Sequence, residues 1–367
     1  MGKNKRILFI VNGLGMGNST RCHAIIENLH HRGYAIDVIT SGNGMDYFRH
    51  HISSISDLIE FKSLFYTKFK GKLSIGGTIL SIPVLAFLYI QNICVLYKTF
   101  KNKSYDAVVI DSDYTILLLR IIFNIPVFAI NNADVVVREM KKLDKIPRKI
   151  LMQFMVEKMD YWFHRVFVDF VLSPTILEWN SHSHANIHHF PPFIRSGLTV
   201  TTGTKKVHNI LIMLSGSQFS TDVRFIENKP YFPNMTINVM GRNGSSTREL
   251  QYLGKLYDNK SYLNMADILI INAGFSAVSE AVLLRKPCVI IPIDHHAEQH
   301  VNARIMEQEG YALVANIDNV WQKTTELITN YHQVQQALDR KALPLNGHWL
   351  AADMIDEKIN SMQEKSK

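Results

Sequence analysis

Short, continuously apolar runs alternate with longer helix-like stretches along this chain, and the alternation starts afresh after Pro191-Pro192. The runs at 6–11, 35–40, 107–110, 127–130 and 166–172 form the first series; those at 209–214, 236–240, 268–271, 288–293 and 311–315 form the second. A strand that is apolar at every position is buried on both faces, and helix-length connections bring the chain back in the same direction. The pattern therefore predicts two Rossmann-like, doubly wound parallel sheets of the α/β class. Paired prolines and the polar stretch 199–206 cannot extend a packed sheet. The expected division is residues 1–195, residues 196–345 and a C-terminal helix at 346–367. Ligands of open α/β sheets bind beyond the carboxyl ends of the strands, so the site is expected to line a cleft between the two sheets.

Composition narrows the class. Hydrophobic residues make up 47% of the 367 and charged residues 20%, which fits two full cores and argues against general disorder. Cys22, Cys94 and Cys288 are few, odd in number and far apart, the usage of a reduced cytoplasmic protein. The apolar run after the basic N-terminus ends at Asn12-Gly13 without a cleavage pattern, so no secretory signal is read. The net charge of +8 lies entirely in residues 1–200. Such a basic half could meet an anionic membrane or an acidic substrate. No zinc-finger or RNP-like signature supports nucleic acid.

Residues 73–97 carry no charge, but Gly76-Gly77, Pro83 and Gln91-Asn92 interrupt the run. A membrane span there would separate two strands that belong to one sheet. The expectation is a buried crossover helix, with a face resting on a bilayer as the alternative. Just before it, residues 61–72 interleave aromatic rings with lysines, a mixture suited either to an anionic lipid surface or to a solvated loop.

Three motifs carry chemistry. Gly13-Leu14-Gly15-Met16-Gly17-Asn18 follows the first strand and opens a helix. Gly15 and Gly17 permit close backbone approach, and a helix N-terminus offers N–H groups to a polar ligand. The glycine spacing does not fit dinucleotide binding, and no acidic residue closes the second strand. In the second half, Ser215-Gly216-Ser217 ends the first strand, and Asn272-Ala273-Gly274-Phe275-Ser276 follows another. Gly274 allows a sharp turn, Ser276 is placed to cap the next helix, and Glu280 lies one turn further on the same face. That carboxylate could accept hydrogen bonds from both hydroxyls of a ribose, or simply complement the helix dipole. Finally, Glu298 and Gln299 follow the strand at 288–293 and offer acceptors and donors for sugar hydroxyls; their plainer reading is a polar helix start.

This ordered set resembles the GT-B glycosyltransferases, particularly the MurG-type N-acetylglucosaminyltransferases and their UDP-glycosyltransferase relatives. The likeness is clearest over about 195–315: Gly-x-Ser-x-x-x-Glu, a Lys-Pro-led strand, then Gln299 with Asn302-Ala303. The resemblance implies that Glu280 holds the ribose of UDP. Gly216, Ser217 and the turn Gly274-Phe275-Ser276 would cradle the diphosphate, and Arg195 would offset its charge. Backbone near Tyr257 would read uracil, and Glu298 and Gln299 would grip the sugar. It also implies inversion, no metal or other cofactor, and a terminal helix packed back on the first domain.

One departure bears on mechanism. Relatives commonly place a histidine where Asn18 stands, and asparagine takes no proton at neutral pH. Asp111, Asp113 and His23 are then the candidate bases, with Asp111 favoured and each aspartate having a plain alternative as a helix cap. Histidines at 182, 184, 188, 189, 296 and 300 lack a firm third ligand, so no metal site is expected.

The sequence thus predicts transfer of a hexose or N-acetylhexosamine from a UDP-sugar to a lipid-linked or small-molecule acceptor in cell-envelope glycan or glycolipid synthesis. The enzyme would be cytoplasmic, with peripheral attachment to the membrane's cytoplasmic face. A sugar-nucleotide hydrolase or epimerase and a non-catalytic nucleotide-sugar-binding protein are the alternatives.

Overall fold

The structure is a computed structural model that describes residues 5–63, 68–69, 72–73, 81–178, 184–200, 206–214, 224–230, 232–341 and 343–365. Its strands in chain order are β1 (Arg6–Val11), β2 (Ala35–Thr40), β3 (Asp57–Glu60), a short hairpin β4 (Lys68–Phe69) and β5 (Lys72–Leu73), β6 (Ala107–Asp111), β7 (Val127–Ile130), β8 (Phe170–Pro174) and β9 (Ile187–Phe190). They continue with β10 (Asn209–Met213), β11 (Thr236–Met240), β12 (Leu250–Gly254), β13 (Ile268–Ile271), β14 (Cys288–Ile290) and β15 (Ala312–Val314). A seven-stranded sheet runs β3-β2-β1-β6-β7-β8-β9 and a six-stranded sheet runs β12-β11-β10-β13-β14-β15. Every pairing within these two sheets is parallel. Strand order reverses between β1 and β6 in the first sheet and between β10 and β13 in the second. At such a reversal the connecting segments leave in opposite directions and open a crevice at the strand ends.

The chain packs as two units. Met1–Asp134, Met159–Phe193 and Asn346–Lys367 form the first; Val135–Lys158 and Ile194–Leu345 form the second. In the first unit, alternate residues of β1 feed opposite cores, as the pleat requires. Ile7 and Phe9 pack with Ile25 and Leu29 of the helix Met16–His31 and with Ile355 and Ile359 of the helix Gly347–Lys365. Leu8 and Ile10 pack instead with Leu96, Phe100 and Leu119.

The C-terminal helix is therefore part of the first unit's core. Tyr34 donates to Asp356, Arg32 pairs with Asp353 at 2.6 Å and Gln363 donates to Asp106 at 2.8 Å. The chain enters this helix at Gly347, where an added Cβ would lie 2.0 Å from the Pro191 carbonyl oxygen. Only glycine lets the two backbones pass so closely.

The sequence expectations need three adjustments. The run at 166–172 is not one strand, because Val166 and Phe167 end the helix Leu151–Phe167 and β8 begins at Phe170. Strands β3, β9 and β12 carry charged, histidine or amide side chains that masked their pattern. The expected buried crossover at 73–97 is instead the helix Ile82–Asn102, which buries Asn92, Leu96, Thr99 and Phe100 but exposes Ile82, Phe87 and Ile90. A helix apolar all round gives no sequence signal of which side meets the core. It is long and apolar enough to cross a membrane. Yet it joins strands of one sheet, with β6 bonded directly to β1.

Candidate functional site

At the reversal of the second sheet, β13 ends at Ile271 and the chain turns through Asn272-Ala273-Gly274 into the helix Phe275–Leu283. Side-chain amides fix this turn. Asn272 donates to the Ile291 carbonyl at 2.7 Å, and Asn302 donates to the Ala273 carbonyl at 2.9 Å. The helix cap is Gly274, not Ser276; Ser276 lies inside the first turn, and no side chain caps the terminus. A Cβ on Gly274 would meet nothing within 4 Å. Among the described residues nothing therefore crowds Gly274 at this N-terminus, and its first turn carries no acidic residue to oppose an anion.

Glu280 sits on this helix and is tied to Arg195. The guanidinium Nη2 reaches Glu280 Oε1 at 2.9 Å and Asn259 Oδ1 at 2.7 Å, while Nε lies 3.3 Å from the same glutamate oxygen. Arg195 and Glu280 expose only 8% and 12% of their side chains, so little water screens the pair. The expectation had given Arg195 to a diphosphate. In this structure it bonds the Glu280 carboxylate and the Asn259 amide oxygen, and the arrangement holds one Glu280 oxygen fast. Asn259 was not foreseen; it precedes the helix Lys260–Met265 and nothing local marks its pairing across 64 residues.

Tyr257 is half-buried, with Lys255 Nζ 4.9 Å from the ring centre. Gln299 is buried, and its carbonyl accepts from the Ile293 amide at 2.9 Å, so half of its hydrogen-bonding capacity shapes the loop after β14. Glu298 is half-buried in the first turn of the helix Ala297–Gln308. The segment 147–153 braces the same loop: His295 Nδ1 donates to the Lys149 carbonyl at 2.7 Å, and the Ala297 amide donates to Gln153. Gly216 and Ser217 lie outside the described residues.

At the reversal of the first sheet, Asn12 stitches the ends of β1 and β6 together. Its amide donates to the Ser112 carbonyl at 3.0 Å and its oxygen accepts from the Leu14 amide at 2.9 Å. Gly13 passes so close to Ser41 that a Cβ would overlap the Ser41 carbonyl oxygen. The helix Met16–His31 is capped by Gly15, again without a side-chain cap or an acidic first turn, and a Cβ on Gly15 would meet nothing within 4 Å. Gly17 and Asn18 are half-buried in the first turn.

The candidate bases occupy different settings. Asp111 is fully buried and gripped by Arg21 through both oxygens, at 2.6 and 2.5 Å, with Cys22 Sγ 3.3 Å and Ser112 Oγ 3.2 Å away. Both oxygens of this carboxylate are therefore engaged by the guanidinium. His23 is buried among Tyr47, Phe48 and His51, with its ring nitrogens facing Tyr47 Oη at 3.0 Å and Ser54 Oγ at 3.4 Å. It belongs to the packing between the helices Met16–His31 and Gly42–His50. Asp113 keeps some surface exposure, and its burial pushes the carboxyl up from the usual carboxylate range, against the bonds it accepts from Thr115. It closes a local turn; the next helix begins at Ile116.

Among the histidines, His182 lies outside the described residues and His184 is exposed. His188 and His189 lie in β9, where His189 Nε2 meets Asp134 at 2.6 Å. No group of three metal-type side chains gathers among the described residues.

Known proteins place this geometry. The profile of glycosyl transferase family 1 matches residues 5–330. A UDP-N-acetylglucosamine–N-acetylmuramyl-(pentapeptide) pyrophosphoryl-undecaprenol N-acetylglucosamine transferase of Alkaliphilus metalliredigens is 27% identical over 186 residues, 44% of this chain and 50% of that one. The chain thus spans half the length of that relative. An uncharacterized glycosyltransferase of Methanosarcina mazei is 24% identical over 96% of this chain and 98% of its own. Among solved structures, the glycotransferase of kitacinnamycin superposes with a TM-score of 0.68 at 15% identity, covering 97% of this chain and 99% of that one. MurG of Acinetobacter baumannii superposes with a TM-score of 0.58 at 16% identity, covering 96% and 99%. The fold is therefore GT-B, and the chain belongs to glycosyl transferase family 1.

Proposed function

We propose that the chain transfers a hexose or N-acetylhexosamine from a UDP-sugar to a lipid-linked or membrane-associated acceptor, with inversion and without a metal. The observation that carries this reading is the open N-terminus of the helix Phe275–Leu283, with Glu280 fixed one turn beyond it by Arg195 and Asn259. The N–H groups and dipole at Gly274–Ser276 stabilise the diphosphate as negative charge develops on the departing UDP. Glu280, immobilised through one oxygen, offers the other to the ribose hydroxyls; Arg195 and Asn259 act as positioning residues. Tyr257 flanks the uracil, while Glu298 and the amide nitrogen of Gln299 meet the sugar. Gly216 and Ser217 keep their proposed place beside the diphosphate.

The acceptor hydroxyl attacks the anomeric carbon from the face opposite UDP. Asp113 is the preferred base, because its carboxyl titrates upward from the ordinary range while Asp111 is committed to Arg21. Asn18, with Gly15 and Gly17, orients the acceptor at the other open helix terminus. The exposed apolar face of the helix Ile82–Asn102 and the basic first half favour an acceptor presented at an anionic membrane surface.

Thermal shift against a panel of UDP-sugars, followed by UDP release with lipid extracts as acceptors, tests the reading. Stabilisation by a UDP-sugar and acceptor-dependent UDP release are expected. Release at the same rate without acceptor would make the protein a hydrolase, and no stabilisation by any UDP-sugar would sink the donor assignment.

A further inference from the structure

The helix Leu151–Phe167 carries a second apolar face that the sequence reading did not single out. Met152, Met155, Val156, Met159, Trp162 and Val166 recur at helical spacing along one side and are all among the exposed residues, with Met159 and Trp162 exposed by 68% and 56%. The opposite side is anchored by buried Phe154 and His164. This is the reverse of a soluble helix, whose apolar stripe faces its own core.

The charges on the exposed side are one-signed. Lys158 and Arg165 are exposed, whereas Glu157 and Asp160 are half-buried and engaged, Glu157 by Gln153 and Asp160 by Asn131 and Tyr114. Among exposed charged residues from 141 to 167, only Asp144 is acidic. Two copies of such a face would set like charges against each other. An anionic bilayer complements it: methionines and valines enter the acyl boundary, the indole sits at the headgroup level, and lysine and arginine reach phosphate.

We infer that the helix Leu151–Phe167 lies in the plane of an anionic membrane as an interfacial anchor. The consequence for function rests on the proposed transferase reading. Lys149 and Gln153, at the head of this helix, brace the loop 295–297 that leads to Glu298 and Gln299. Docking would thus hold the sugar-binding loop at the surface where a lipid acceptor resides.

The experiment uses the full chain with vesicles of phosphatidylcholine alone and of phosphatidylcholine mixed with phosphatidylglycerol. Binding to the anionic vesicles, weakened by salt, is expected, as is quenching by brominated lipid that disappears in Trp162→Phe. The triple variant Met155→Gln/Met159→Gln/Trp162→Gln is expected to bind at least ~100-fold more weakly, since each buried side chain of this size contributes strongly to transfer from water. Circular dichroism and thermal melting check that the variant folds; should it not, Lys158→Gln/Arg165→Gln, at two exposed positions, is expected to abolish the preference for anionic vesicles. Unchanged binding in folded variants, or concentration-dependent dimers that the triple variant converts to monomers without any vesicle binding, would overturn the inference. UDP-sugar stabilisation is measured on the same samples. Its loss with vesicle binding intact would reject the transferase reading and leave the anchor standing.

Discussion

Replacing Asp111 by asparagine separates a chemical role for this residue from a structural one. The side chain is fully buried, and Arg21, 10% exposed, binds both of its oxygens. Asparagine keeps one acceptor oxygen but turns an NH2 group toward the guanidinium, so a buried positive charge loses its counter-ion. Breaking a buried pair in this way costs about 3–5 kcal/mol, whereas replacing both partners with apolar side chains is often neutral. With a urea m-value of about 1–3 kcal/mol/M, the loss moves the unfolding midpoint of the first unit downward by at least about 1 M. The assay is urea unfolding followed by circular dichroism, for Asp111→Asn, Arg21→Met and the double variant Arg21→Met/Asp111→Leu. The double variant is expected to recover most of the lost stability. The reasoning is refuted if Asp111→Asn leaves the midpoint in place while acceptor-dependent UDP release stops, for Asp111 would then act on the substrate and not on the fold.

Gly274→Ala is expected to change stability by less than ~0.5 kcal/mol, because its Cβ meets nothing and its φ of −65 suits any residue, yet to weaken UDP-sugar binding; thermal shift with and without donor reads both. Gly347→Ala should destabilise by about 1–3 kcal/mol or more, since its Cβ would lie 2.0 Å from the Pro191 oxygen; a melt identical to that of the parent chain would contradict this close approach. His348 is held at a pKa of about 4 by burial, partly offset by Glu27, against 6.5 when unperturbed. As pH falls the unfolded histidine is protonated first, so this contribution to stability is whole above about 6.5 and drains away toward about 4. Midpoints measured across that window should fall less steeply in His348→Gln, and equal slopes would count against the assignment.

Much of the fold was legible because buried parallel strands are largely apolar runs, even where Asp37 interrupts β2 and Asn238 interrupts β11. β1, β2, β7, β11 and β13 begin and end where their apolar runs do. The strands that escaped notice carry Asp57 and Glu60, His188 and His189, or Gln251, whose polarity is tolerated toward a sheet's edge. At the site, glycine-rich turns after β1 and β13 announce themselves, since helix termini without side-chain caps have a local signature. Pairings do not. Arg21 meets Asp111 across 90 residues, and Arg195 meets Glu280 across 85. Each member reads alone as a free charge available to substrate. Only the fold shows that Arg21 pairs with Asp111, and that Arg195 pairs with Glu280.

The return of the C-terminal helix to the first unit has a bearing on how this protein is made. Ile355 and Ile359 complete a core begun by Ile7 and Phe9, so β1 waits for its last partners until the helix Gly347–Lys365 has been made. Contacts between residues this far apart in sequence carry a large loop-closure cost and form late. A nascent chain halted before residue 347 would leave Ile7, Phe9 and Ile25 without that cover, with an apolar seam available to chaperones or to aggregation.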